Sequence, residues 1–538
     1  MFLSVVMVWT PLLTSSHVDN GLSDWSYRAD YVAYGLNSLL HDHQFPFWVT
    51  GPRFTQYRIP NAHEFFANPE TDVLSIVTPL AAIGGVLTAV KVSLVLYLGL
   101  GVWGCRRLLI LLGDAAGAIP LLLASLLALC NGGFVAHIMV GHTQFMATAT
   151  FPLILALILE SFEAAALAST RYFKASLAGA LFASAYYSGA VHPLTYALPS
   201  FLVFVPLFTI LVSPSRFRVV LPAAAVACIS FAVLAAFKLL PGVMDFSGYR
   251  SDYHDVYEGW DAFAIELVTP WMPTGHSYHH ETTLYVGWLG AGILAFAILG
   301  VRDRRSIPLL LTCAAIAVPM FFKNEHLLAL PFIGAQGALR RIRLVIMPMV
   351  AVVAATQIRR AWGPRNPRRA LQLASLAVAA TLSIVFAFDL ARTNGLRHGL
   401  MSSHDVLPAV KGPFDGAPEL VPVNAREARV YVGNVRANSF DYEVTTASAA
   451  PVVLRAPELL ATPHLPHLTL EGDGELFVKD GALAVRVAGP RARFTLRFRD
   501  PLVPWACGIS LCGVAGLIAL GIAARRAKRD AMGSFEVG

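Results

Sequence analysis

The chain has 538 residues, 56% of them hydrophobic and 14% charged, with a mean hydropathy of +0.59. Soluble globular proteins carry about 25% charged residues, so the balance excludes a disordered chain, argues against a soluble enzyme and points to many membrane-spanning segments. The net charge is +7, but its arginines and lysines collect in short loops between apolar runs, which fixes membrane orientation and does not imply nucleic acid.

Met1 to Leu13 is apolar but short for a span of about 20 residues. It lacks a basic leader and a small-x-small cleavage site, so it reads as a first spanning helix rather than a signal peptide. Ser15 to Gly85 is rich in Asp, His, Trp, Tyr and Asn, too specific a composition for a linker. Within it, Asp30 to His41 reads as a short amphipathic helix. Leu74 to Gly85, interrupted by Pro79, reads as an interfacial or re-entrant helix. Apolar runs near 86–104, 116–134, 144–162, 175–191, 195–213, 219–240, 283–300, 306–322, 341–358, 370–390 and 504–523 follow. With the first segment they predict about twelve spans.

If the first helix runs outward, every inside loop is short and basic: Arg106/Arg107, Arg171/Lys174, Arg216/Arg218, Arg302/Arg304/Arg305, Arg359 to Arg369 and Arg525 to Arg529. The outside then holds about 15–85, 241–282, 323–340 and 391–503, and all sixteen histidines fall there or at outer helix ends. The end of the last segment alternates in period two (Arg429 to Val435, Phe440 to Val444, Ala482 to Val487, Arg493 to Phe498), with Asp473-Gly474 and Asp480-Gly481 as turns. That is an antiparallel β-domain. The expected fold is mainly α, a polytopic membrane protein with a small extracytoplasmic β-sandwich-like domain near the C-terminus. Its expected parts are a transmembrane module over 1–392 with the outer loop 15–85, the β-domain over 393–503, and a last span with a basic tail over 504–538. The six cysteines lie in or beside apolar runs and form no disulfide framework or zinc spacing.

Five constellations could carry chemistry. Asp19, Asp24 and Asp30 follow the first span; a carboxylate there serves as a general base or metal ligand, or simply as a solvated loop and helix cap. Pro46-Phe47-Trp48 and Ala67-Asn68-Pro69-Glu70 offer an aromatic for a sugar face, or mere interface anchors. His279, His280 and Glu281 precede Tyr285; they suit a hydrogen-bonding site or a helix cap, while adjacent residues seldom share a metal without a distant partner. Arg340, Arg341 and Arg343 lie on the outer side against the positive-inside trend. They suit a lipid phosphate, with nonspecific snorkelling the plainer reading, and Lys91, Lys238 and Lys323 are weaker members of the class. His142 and His192 sit at outer helix ends, as cavity residues or caps. There is no Walker A motif, dinucleotide fingerprint or His-Glu-x-x-His.

The order of these motifs resembles the GT-C membrane glycosyltransferases, in particular the bacterial YfhO-like branch. Asp24, Pro46-Phe47-Trp48, Ala67-Asn68-Pro69-Glu70, Gly133-Phe134, Gly141-His142, Pro152-Leu153, Val191-His192-Pro193, Glu281 to Gly287, and Pro331-Phe332 with Arg340-Arg341-Ile342-Arg343 follow that family's sequence of steps. Leu194 stands where the family often has Gln, and its Tyr-Pro-Gly-Trp turn is missing. The resemblance implies an enzyme of the bacterial inner membrane that moves a sugar, with inversion, from a polyprenyl-phosphate donor to an extracytoplasmic glycan, lipid or protein. Asp24 would be the general base, and Arg340, Arg341 and Arg343 would hold the donor phosphate. Trp48, Asn68, Glu70, His142, His192, His279, His280, Glu281 and Tyr285 would line the sugar or acceptor site. The resemblance leaves a divalent metal open, with Asp24, His279, His280 and Glu281 as candidate ligands. The rival readings are a lipid or glycan transporter, which more often shows interrupted helices and an internal repeat, and a non-catalytic envelope-assembly protein.

Overall fold

The computed structural model describes residues 2–14, 25–47, 65–113, 117–163, 167–246, 256–269, 284–301, 303–321, 339–361, 417–425, 427–447, 450–460 and 467–536. The helices are α1 (Phe2–Val8), α2 (Thr10–Thr14), α3 (Trp25–Leu40), α4 (Val77–Gly84), α5 (Val86–Leu111), α6 (Ala118–Leu129), α7 (Gly132–Met139), α8 (Phe151–Ser161), α9 (Ala168–Tyr187), α10 (Val191–Val212), α11 (Phe217–Phe246), α12 (Trp260–Val268), α13 (Gly287–Leu299), α14 (Ser306–Ala317), α15 (Arg343–Ala361) and α16 (Val503–Glu536). Short 3₁₀ segments at Thr143–Thr150 and Leu339–Ile342 lead into α8 and α15.

Among the described residues, six helical stretches are long and apolar enough to cross a bilayer: Val86–Leu111, Thr143–Ser161, Val191–Val212, Pro214–Met244, Leu339–Arg360 and Val503–Asp530. The bent pair α6–α7 makes a seventh when read as one span. The chain is therefore a multi-pass membrane protein, with fewer qualifying spans than the twelve expected. Several differences have a local cause. The N-terminal segment is divided at Trp9 into two short helices. Helix α9 begins seven residues earlier than expected, so it takes in Ser169, Thr170, Arg171 and Lys174 and loses mean hydropathy. The 13 residues of α13 reach only about 20 Å at 1.5 Å per residue. The run 370–390 lies outside the described residues.

The 48° bend between α6 and α7 is written in one side chain. Buried Asn131 donates Nδ2 to the carbonyls of Leu127 (3.2 Å) and Ala128 (3.0 Å), closing α6. Its Oδ1 accepts from Phe134 N at 3.0 Å, capping α7. Helices α5 and α8 cross closely at Gly101 and Gly104; a Cβ on Gly104 would lie 2.2 Å from Leu153 N.

Basic residues gather at one end of the bundle. The Glu160 side chain on α8, 11% exposed, binds Arg107 of α5 through both oxygens and Lys174 of α9 at 2.9 Å. Arg305 donates to Leu111 O (2.6 Å) and Arg360 to Leu112 O (2.7 Å), so cations cover the carbonyl end of α5.

Among the described residues the C-terminal region holds eight strands: β1 (Val421–Pro422), β2 (Arg429–Arg436), β3 (Ser439–Thr445), β4 (Val452–Leu460), β5 (Leu468–Gly472), β6 (Glu475–Lys479), β7 (Ala482–Val487) and β8 (Arg491–Phe498). They form two antiparallel four-stranded sheets, ordered β1-β4-β7-β6 and β2-β3-β8-β5. Phe440, Tyr442, Phe494 and Leu496 of one sheet and Val452, Leu454, Leu483 and Val485 of the other share one core. The β6–β7 hairpin turns on Asp480 (φ 50°) and Gly481 (φ 71°), as a two-residue Asp-Gly turn requires.

The tip of the β2–β3 hairpin is seated on the segment after α3. Ala437 N donates to Asp42 Oδ2 (2.8 Å) and Asn438 N to Gln44 Oε1 (3.0 Å). The Asn438 side chain donates to Phe45 O (2.7 Å) and accepts from Phe47 N (3.1 Å), as a neighbouring strand would. Ala437 is buried with Tyr31, Tyr34, Phe65 and Val73.

The α5–α8 crossing gives a test. Gly104→Val forces the helices apart, and overpacking of this kind costs about 1–3 kcal/mol. A thermal melt of the detergent-solubilised protein should show a Tm several degrees lower, whereas Gly516→Val, with open space around it, should leave Tm unchanged.

Candidate functional site

At the bundle end opposite Glu160, the segment 65–76 folds between α3, α10 and α11. The Asn68 side chain accepts from Glu70 N at 2.9 Å, and Thr71 Oγ1 donates to Asn68 O at 2.9 Å, which makes a local Asx turn. Pro69 stiffens it. Buried Lys238 of α11 donates Nζ to Pro69 O (3.1 Å) and to Thr71 O. Gly189 (φ +77°) sits against the same turn, and a Cβ there would lie 2.3 Å from Glu70 O. Only glycine admits that approach in that conformation.

The turn aims Glu70 at three cations. Arg28 of α3, 4% exposed, donates NH1 to Glu70 O (2.8 Å) and NH2 to Glu70 Oε2 (3.1 Å). His192, at the first turn of α10, shares a hydrogen bond between Nε2 and Glu70 Oε1 at 2.7 Å. Arg341 acts on Glu70 through its charge and holds its guanidinium 5.5 Å from the Phe145 ring centroid. Burial pushes the Glu70 carboxyl up, but His192, Arg28 and Arg341 outweigh it and hold the group well below the usual carboxylate range. Glu70 is thus held in its anionic form.

Two residues on, Asp72 behaves in the opposite way. It is 3% exposed and its Oδ1 has no hydrogen-bond partner among the described residues. Burial raises its carboxyl from 3.8 to about 6, although Arg28 and Lys238 pull it down.

Rings extend the cluster. Phe145 lies parallel to His192 (6.0 Å between centroids, 19°) and tilted against His137 (4.4 Å). His137 and His142 face each other through Nδ1 at 2.9 Å, so one imidazole donates and the other accepts.

The three arginines expected at a phosphate part company. Arg340 donates to Val256 O and lies over the Tyr257 ring at 4.8 Å. Arg343 is 1% exposed and donates to Arg340 O at 3.0 Å. Arg341 faces Phe145 and Glu70. Lys238, grouped with them from sequence, instead clamps backbone carbonyls. Tyr285 accepts from Gly132 N at 2.7 Å, at the α6–α7 bend. Asp24, Trp48, His279, His280 and Glu281 lie outside the described residues, as do all four candidate metal ligands. Among the described residues no three His, Cys, Asp or Glu are grouped to hold a metal.

A partly open groove runs between Phe151 and Leu155 of α8, Phe201 and Phe204 of α10, and Pro348 and Met349 of α15. Its walls are almost wholly apolar. Arg341 precedes Pro348 by seven residues, so the groove is lined by α15 roughly 10 Å farther along the backbone than Arg341.

No family model matches the sequence, and no curated protein is similar to it. Among solved structures, ArnT from Cupriavidus metallidurans bound to undecaprenyl phosphate is similar at 16% identity and a TM-score of 0.42, over 71% of this chain and 62% of that one. The arabinofuranosyltransferase AftD from Mycobacteria, determined by single-particle cryo-EM, is similar at 15% identity and a TM-score of 0.42, over 73% of this chain and 26% of that one. Both are GT-C glycosyltransferases. This chain spans less than two thirds of the length of either.

Arg28, His137, Phe145 and Asp72 were not singled out from sequence. A signal existed for His137: two histidines five residues apart in an otherwise apolar run.

Asp72 yields a pH test. Its folded carboxyl keeps the proton up to about 6 and its unfolded one only to 3.8, so the associated stability is present below about 4 and lost as pH rises through about 6. A shift of that size is worth about 3 kcal/mol. The Tm of Asp72→Asn relative to the parent should therefore climb between pH 4 and 7 and stay level outside that window.

Proposed function

We propose that this protein is a GT-C membrane glycosyltransferase that takes a sugar from a polyprenyl-phosphate donor and passes it to an acceptor on the extracytoplasmic face. The observation that carries the reading is that Arg341 and His192 flank Phe145 near the start of α15, and that an apolar groove is lined farther along the same helix by Val345, Pro348 and Met349. A ligand with an anionic head and a long hydrocarbon tail is complementary to both parts at once. The basic residues at the Glu160 end support an extracytoplasmic position for Arg341 and His192 through the positive-inside rule.

Of the three arginines, Arg341 is assigned to the donor phosphate. Arg340 and Arg343 brace the turn that presents it, since both spend hydrogen bonds on backbone carbonyls. Glu70 offsets part of the positive charge and orients His192 and Arg28. In the reaction, Asp24 removes the proton of the acceptor hydroxyl as its oxygen attacks the anomeric carbon. The bond from that carbon to the phosphate oxygen breaks, the configuration inverts, and polyprenyl phosphate leaves with the electron pair. Arg341 and His192 stabilise the charge that develops on the phosphate, more strongly in a water-poor site than in bulk. Trp48, Asn68, His142, His279, His280, Glu281 and Tyr285 stay as candidates for the sugar and acceptor side, with a divalent metal held open at Asp24, His279, His280 and Glu281.

The test is transfer from radiolabelled polyprenyl-phosphate sugars by the purified protein in nanodiscs. Asp24→Asn is expected to lose at least about 10²-fold in rate, the scale of general-base catalysis, with donor binding retained. Arg341→Glu should weaken donor binding at least tenfold, while Arg218→Glu at the opposite end should not. Equal transfer by the Asp24→Asn protein and the parent removes Asp24 as base.

A further inference from the structure

The β2-β3-β8-β5 sheet keeps one face in its core and turns the other outward. In the register of β8, Arg491, Arg493, Thr495 and Arg497 alternate with buried Ala492, Phe494, Leu496 and Phe498. Arg499 continues the file one step beyond the strand. Four guanidiniums therefore stand on one line, and residues two apart on a strand are about 7 Å apart.

Two carboxylates share the ion pairs of these four arginines among the described residues. Glu443 on β3 takes Arg491 through one oxygen and Arg493 through the other at 3.0 Å. Glu471 on β5 takes both Arg497 (3.1 Å) and Arg499 (3.3 Å). Each carboxylate is divided between two arginines, so each trio carries a net positive charge with guanidinium donors left facing water. The side chains of Arg491, Arg493 and Arg499 are 61%, 67% and 61% exposed. Between the trios, Thr495 donates to Asp441 at 2.7 Å. Beside them on β2, Arg429 pairs with Thr445 and exposed Tyr431 with Glu443 on the same face. Five arginines thus meet four carboxylates, Asp473 among them accepting from Arg493 N at 3.0 Å, next to one exposed aromatic ring.

We propose that this face binds a linear anionic glycan laid along β8. A straight file of like charges at regular spacing complements a polymer whose own charges repeat. Tyr431 offers a surface for a sugar face, and the threonines offer hydroxyl partners. A lipid headgroup is a poorer match. Only the Arg499 end adjoins α16, a candidate span, while Arg491 stands about 27 Å from it along the strand, so a headgroup layer of about 5–8 Å meets the whole file only where β8 lies flat on the membrane. The file also ends beside the hairpin tip, where Phe498 N donates to Asn438 O at 2.8 Å. That tip rests on 42–47, so a bound chain is led toward the segment that carries Glu70. If the transferase reading holds, this glycan is the acceptor; binding itself does not depend on that reading.

The full-length protein in phosphatidylcholine nanodiscs is titrated with polygalacturonate, with neutral dextran as the comparison. The parent is expected to bind polygalacturonate, more weakly as salt rises, and not dextran. Arg493→Ala with Arg497→Ala leaves each glutamate one arginine, and affinity should fall at least tenfold with Tm unchanged. Arg486→Ala with Lys479→Ala, on the other sheet, should bind as the parent does. Equal binding by the Arg493/Arg497 double variant and the parent overturns the proposal. So does binding indifferent to salt, equal affinity for dextran, or capture of the parent by phosphatidylglycerol vesicles and not by the glycan. Loss of sugar transfer with glycan binding intact would count against the transferase reading alone.

Discussion

The carboxylate of Glu70 is the contact on which its end of the bundle depends. It joins Arg28, forty-two positions before it, to His192, one hundred and twenty-two after it. Arg28 is buried and alone would carry a desolvation cost of several kcal/mol, whereas the Glu70 and His192 side chains are partly exposed. Together they offset one another, and their backbone bonds fix the geometry. Arg28 grips the carbonyl of Glu70 while Lys238 grips those on either side of it. The loop is held by its main chain as firmly as by its acid, so the direction of the carboxylate is set before any ligand arrives.

The molecule has two charged ends with opposite designs. At one, Glu160 is bound by Arg107 and Lys174 and ties α5, α8 and α9 together. At the other, Glu70 and Asp72 lie among Arg28, Lys238, His192 and Arg341, and an apolar groove is lined farther along the helix that follows Arg341. Helix α8 links the two: Glu160 closes its last turn, and Phe151 and Leu155 at its start wall the groove. The close crossing at Gly104 keeps α5 against that helix, so packing in mid-bilayer sets the width of that groove.

What the sequence revealed, and what it hid, follows from the range of the forces involved. Helix α3, the separate short helix α4 and strands β2, β3, β7 and β8 were legible because period and turn chemistry are local. The Asp480-Gly481 hairpin was read from two letters. Glu70, His192 and Arg341 were named as site residues from motif order, and the structure brings them together. It does not treat the arginines alike, because whether a guanidinium meets a carbonyl such as Val256 O or an acid is decided by neighbours far off in sequence. Arg28 was hidden for the same reason: inside an amphipathic helix it looks like any solvated cation. Asn131, which ends one helix and starts the next, could have been read as a cap, and with it the bend.

The seating of the β2–β3 hairpin has a consequence for how the protein is made. Asp42, Gln44 and Phe45 find their partners at Ala437 and Asn438, nearly four hundred positions later. A ribosome delivers the chain from its beginning, so the early segment emerges with these acceptors unmatched and Tyr31, Tyr34 and Phe65 incompletely covered. It must wait, through the synthesis of most of the membrane helices, for the C-terminal strands to be made and to pair. Contacts of such high order form late and slowly. The Glu70 end of the molecule therefore matures last, after synthesis is essentially complete.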